Sequence, residues 1–219
     1  MRVLVVAAHP DDEVLGCGAT VARHSAEGDE VHSLILAEGS TSRAPSRQAA
    51  ADSDELAHLQ ACARAAASVL GAASVRFGGL PDNRMDHLDL LDVVKLVEAT
   101  VDELQPTAVY THHGGDLNVD HQITHRAVLT ATRPVPGRSV QRLYTFETVS
   151  STEWGERLDP FVPQRFVDVS STRIVALYIP RRRKVRRRPS TSARKADAPL
   201  HISQSVTSTG RSSRARFAT

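Results

Sequence analysis

Short runs of Val, Leu and Ile recur at residues 3–7, 31–37, 75–77, 108–110 and 143–146. Each is short for a helix and rich in apolar residues, so each predicts a strand buried on both faces, as parallel sheets require. Between them lie stretches of helical length and period at 14–27, 46–70, 88–104 and 121–133, the last closed by Pro134 and Pro136. Strand and helix alternate, which predicts an α/β layered fold with a mainly parallel sheet flanked by helices.

In such folds ligands bind where the loops leave the carboxyl ends of the strands. Three of the predicted loops carry unusual chemistry: "AHPDDE" after the first strand, "GGLPDNR" after the third and "THHGGDLNVDHQITH" after the fourth. In the first, His9 and Asp12 offer a nitrogen and an oxygen donor on one turn stiffened by Pro10, with Asp11 beside them as a base. In the third, His121 opens a helix as a further donor, and Asp120 before it is placed to orient an imidazole through its second nitrogen. Two histidines and a carboxylate with an open position form a hydrolytic zinc arrangement. "PDDE" would also serve as an acidic first turn for the helix that follows. Helix capping does not predict the second cluster two strands later.

"AHPDDE" followed by "GCG", with "DLNVDHQITHRAV" about a hundred residues on, resembles the zinc-dependent N-deacetylases of the PIG-L (LmbE-like) family, which remove acetyl groups from amino sugars on a Rossmann-like fold. "LPDNR" and "FETVSSTEWG" extend the resemblance over roughly residues 2–178. It implies zinc (Zn2+) held by His9, Asp12 and His121, with Asp11 as the general base. The expected function is removal of an acyl group from the nitrogen of an amino sugar or glycoconjugate by metal-activated water. Some relatives carry a polarising His where this chain has Asn118, which donates a hydrogen bond but shuttles no proton. His112 or His113 is a substitute, or an ordinary loop histidine.

Asp82, Asn83 and Arg84 face the same predicted crevice and read either as sugar-binding residues or as the turn that Pro-Asp-Asn chemistry builds. Arg43 and Arg47 follow the second strand as phosphate contacts or solvated loop residues. Trp154 reads as a sugar-stacking face or a loop anchor, and Cys17, between two glycines, as a packing residue.

Charge divides the chain in two. From Arg181 onward lie 12 of the 27 Lys+Arg and 1 of the 25 Asp+Glu, so a formal net charge of +2 hides an acidic body and a basic tail. Residues 1–180 are read as one deacetylase domain, C-terminally truncated. Residues 181–219, rich in Arg and Ser and without helical period, are read as a disordered tail that a shifted reading frame would produce. Cys17 and Cys62 form no paired motif, and no leader or long apolar run is seen, so a cytoplasmic protein without a membrane span is expected. A homo-oligomer is left open. One rival reading is an impaired deacetylase whose basic tail binds nucleic acid or another polyanion. The other is a magnesium-binding phosphoacceptor domain built on Asp11 and Asp12, which leaves His9 and His121 unexplained.

Overall fold

The computed structural model describes residues 1–40, 54–149, 151–155, 159–170 and 204–208. Five parallel strands make the body of its sheet: β1 (Arg2–Ala7), β2 (Glu30–Ala37), β3 (Ser74–Leu80), β4 (Ala108–His112) and β5 (Arg142–Phe146), in the order β3-β2-β1-β4-β5. Two shorter strands, β6 (Arg165–Val167) and β7 (Gln204–Ser208), extend it in antiparallel fashion, with β7 between β5 and β6.

Among the described residues, four α-helices connect or flank the parallel strands: α1 (Asp12–Ala26), α2 (Asp54–Leu70), α3 (Leu90–Leu104) and α4 (Val119–Ala131). This is the layered α/β architecture that the sequence predicts. The start of the second predicted helix, with Arg43 and Arg47, lies outside the described residues. So does most of the basic tail, whose described part, Gln204–Ser208, forms a strand of the sheet.

Alternation along β1 builds two cores. Val3 and Val5 pack with Cys17 and Val21 of α1 and Leu70 of α2, whereas Leu4 and Val6 pack with Val97 and Val101 of α3 and Ala127 and Val128 of α4. All four β1 residues are fully buried, which explains their unbroken apolar run; burying each such side chain contributes roughly 1.5–3 kcal/mol relative to exposure. On α3, Val93, Val97, Val101 and Leu104 recur at helical spacing and turn one stripe to the sheet.

Close approach fixes how α1 sits. A Cβ on Gly16 would fall 2.1 Å from the ring of Phe146, so the absence of a side chain there lets the last residue of β5 lie against the helix. At the next residue, Cys17, the helix departs from helical geometry (φ −143°, ψ 18°), and the Cys17 thiol donates to the Glu13 carbonyl at 3.4 Å.

Candidate metal centre

Strand order reverses between β1 and β4, and the loops leaving β1, β3 and β4 meet beside that point. β1 runs out through Ala8 and His9 into Asp11, whose backbone has φ 113° and ψ −27°. Few non-glycine residues adopt positive φ, and such strain persists where surrounding contacts enforce it. Here the Asp11 carbonyl accepts the N–H groups of Val14 and Leu15 at 3.0 and 2.8 Å, and its own N–H donates to Glu13 Oε2 at 3.1 Å. The turn brings Asp12 back onto His9: Asp12 Oδ2 accepts the His9 N–H at 2.9 Å and stands 3.2 Å from His9 Nδ1.

From the other side of the reversal comes α4, capped by Asn118, whose side-chain oxygen accepts the Asp120 N–H at 2.9 Å. The cap sets His121 in the first turn, where its Nε2 lies 3.1 Å from Asp12 Oδ2 and 3.3 Å from His9 Nδ1. Three donors thus form a nearly equilateral triangle. A tetrahedral zinc with bonds of about 2.0–2.2 Å places its ligands about 3.3–3.6 Å apart, so the triangle matches one slightly contracted face of such a site. His9, Asp12 and His121 are all buried, and the donor set fits a divalent ion of intermediate softness.

Each imidazole is held from behind. His9 Nε2 meets Asp120 Oδ2 at 3.0 Å and Asp82 Oδ1 at 3.2 Å, and His121 Nδ1 meets Asp116 Oδ2 at 3.1 Å. Asp120 in turn accepts the backbone N–H groups of Asn83 at 2.6 Å and Met85 at 3.0 Å, which ties the loop after β3 to the start of α4. With these nitrogens protonated, Nδ1 of His9 and Nε2 of His121 turn lone pairs toward Asp12, the outer pattern common to metal-bound histidines.

The pocket's charge tells the same story. Burial lowers the affinity of His9 for a proton, but hydrogen bonds with Asp12, Asp120 and Asp82 outweigh it and push His9 up to about 12. His121 is likewise opposed by burial and raised by Asp116 and Asp12, to about 9. Asp12, despite burial, is held well below the usual carboxylate range by His112, His121 and His9. Buried carboxylates in excess create demand for positive charge, which a cation meets as well as protons do.

These groups open onto a cavity of about 240 Å³ whose walls include Pro10, Asp11, Gly39, Asn83, Asn118 and Ser151 beside the three donors and Asp82. Asn118 Nδ2 donates to Asn83 Oδ1 at 3.2 Å across its rim. Three residues read from sequence as substrate contacts lie away from these walls. Arg84 is exposed beyond Asn83. His113 turns to the Asp159 carbonyl at 2.7 Å and packs edge-on against Phe161. His112 is fully buried, stacked on His121 with centroids 3.9 Å apart, and its Nε2 accepts the Ala8 N–H at 2.9 Å. Sequence reasoning passed over Asp116, Ser151 and Thr152. The only signal for Asp116 is an acid beside "GG", which reads as an ordinary turn.

A family model described as PIG-L, GlcNAc-PI de-N-acetylase, matches residues 4–132. The chain belongs to the PIG-L family. Among curated PIG-L relatives, the uncharacterized deacetylase YaiS of Escherichia coli K12 is 28% identical over 172 residues, covering 76% of this chain and 81% of its own. The 1D-myo-inositol 2-acetamido-2-deoxy-alpha-D-glucopyranoside deacetylase of Geodermatophilus obscurus is 35% identical over 153 residues, covering 59% of this chain, which spans about half (52%) of that relative's length. Among solved structures, GalB, the 4-carboxy-2-hydroxymuconate hydratase of Pseudomonas putida KT2440, superimposes with a TM-score of 0.59 at 27% identity, covering 78% of this chain and 73% of its own. The PIG-L match runs from within β1 through α4, the stretch that holds all three donors of the triangle.

Proposed function

We propose that this chain is a metal-dependent N-deacetylase that hydrolyses the acetamido group of an amino sugar or glycoconjugate. The observation that carries the reading is the triangle of His9 Nδ1, Asp12 Oδ2 and His121 Nε2, with sides of 3.1–3.3 Å, at the floor of a polar cavity that Asp11 also lines. Deacetylase names among the PIG-L relatives support it.

His9, Asp12 and His121 would hold the ion, and two nitrogen donors with one oxygen favour zinc. When bound, zinc polarises an amide carbonyl and makes water more acidic. Asp11 takes the proton of the attacking water onto its carboxylate as the carbon–oxygen bond forms, and returns it to the amine nitrogen as the carbon–nitrogen bond breaks. Asp120, Asp82 and Asp116 keep the imidazole N–H groups turned away from the donor triangle. Asn83 and Asn118 offer amides at the rim to sugar hydroxyls. No described helix is long and apolar enough to cross a membrane.

The test is amine release from a panel of N-acetyl sugars by protein of measured metal content, run beside hydration of a conjugated enol acid of the kind GalB's name implies. Amine release that follows zinc occupancy is the expected result. Hydration without amine release from any acetamido sugar would replace this reading with the hydratase one.

A further inference from the structure

We propose that Asp116, locked by the hydroxyls of Thr152 and Ser151, is a positioning residue that sets the His121 imidazole for its metal, so that metal affinity depends on a segment well outside the ligand loops. The inference rests on the deacetylase reading above and adds to it a residue whose role is to hold another. Asp116 is fully buried. Its two oxygens divide the work: Oδ1 accepts the Asn118 N–H at 2.8 Å, which fixes the carboxylate to the cap of α4, and Oδ2 faces His121 Nδ1 at 3.1 Å.

Oδ2 also receives two hydroxyls, Thr152 Oγ1 at 2.7 Å and Ser151 Oγ at 3.1 Å. Thr152 acts there as the donor, because an ionised carboxylate only accepts, and its oxygen meanwhile accepts the Thr148 N–H at 2.8 Å. Ser151 Oγ lies in addition 3.3 Å from His121 Nδ1. A carboxylate held by a backbone N–H and two hydroxyls cannot swing with the ring, so it imposes the ring's plane and its tautomer. Thr148, on the same segment, reaches His112 Nδ1 at 3.4 Å, so the ring stacked behind His121 is tied to the same stretch of chain.

Carboxylates behind metal-bound histidines typically govern affinity by about 10–100-fold. Zinc affinity would be measured by competition with a chromogenic chelator on the full chain, for the wild type and for Asp116→Asn, Thr152→Val and Thr152→Ser. Asp116→Asn should weaken zinc by about 10–100-fold, alter the visible spectrum of the cobalt-loaded chain, and recover turnover when zinc is raised to saturation. Thr152→Val should move affinity in the same direction by less, and Thr152→Ser, which keeps the hydroxyl, should restore it. Because threonine to valine is nearly isosteric, the Thr152 pair decides the matter even if Asp116→Asn fails to fold. Wild-type zinc affinity in Asp116→Asn, or equal affinities in Thr152→Val and Thr152→Ser, would overturn the inference while leaving the deacetylase reading intact. A wild-type chain that binds no zinc would overturn both.

Discussion

The imidazole of His112 lies nearly parallel to that of His121, with ring centroids 3.9 Å apart and planes 21° apart, while its Nε2 accepts the N–H of Ala8, the residue before His9. One buried ring therefore steadies both halves of the donor triangle. Burial, with the neighbouring His121 charge, lowers His112 to about 3, so it remains a neutral acceptor. His112→Phe should keep the stack but strand the Ala8 N–H without a partner, at a cost of about 1–3 kcal/mol in denaturant unfolding. Unchanged stability in that variant would show that the hydrogen bond contributes little.

Asp11 and His121 separate chemistry from binding. Asp11→Asn should retain zinc yet lose about a hundredfold or more in turnover, because an amide cannot accept the water's proton. His121→Ala should lose the zinc itself. Near-normal turnover in Asp11→Asn, or full zinc occupancy in His121→Ala, would remove the residue concerned from its assigned role.

Gly16→Ala should lower stability by roughly 1–3 kcal/mol through overpacking, since the new methyl would sit 2.1 Å from the fully buried Phe146 ring. Thermal unfolding reads this directly. Phe146→Leu should relieve part of the cost in the double variant, and strict additivity of the two substitutions would argue that they do not touch.

Burial raises Glu13 from an ordinary 4.5 to about 7, with the charges of Asp12 and Asp11 adding to the rise and the Asp11 N–H opposing it. A carboxyl raised on folding holds its proton in the folded chain. Its contribution is fully present below pH 4.5 and is lost as pH climbs through about 7, because in that window folding takes up a proton. Glu13→Gln keeps an oxygen for the Asp11 N–H and should flatten this decline in chelator-treated protein, with melting temperatures from pH 4.5 to 7 as the measurement. A slope equal to that of the wild type would point to another titrating group.

Much of this architecture is written in short-range pattern. β1 carries an unbroken apolar run, Val3–Ala7, because helices cover both faces of the sheet, and the helices after β1 and β4 begin at the very residues whose polar chemistry drew attention to them. His9, Asp12 and His121 could be brought together on paper because strand-end loops share one edge. The partners behind them could not. Asp120 is adjacent to His121 in sequence yet braces His9, 111 residues away, while His121 is braced by Asp116 from an unremarkable glycine turn. His112 read as a substitute polarising group or a loop histidine, although its two-residue spacing from Tyr110 places both rings on one buried face of β4. β6 and β7 lack a hydrophobic signature: one has three residues and the other is mostly polar, and pairing between distant segments rather than local preference makes them strands.

His9 and His121 stand 112 residues apart in the chain and 3.3 Å apart in the fold. An ion gripped by both would close a very long loop, and the entropy removed from the unfolded chain grows with loop length. Zinc would then act as a removable cross-link between the first strand's exit and the fourth helix. Stripped of it, the chain should open more often at the β1–β4 seam and be cut there sooner by proteases, so resistance to digestion would report occupancy of the site without any substrate at all.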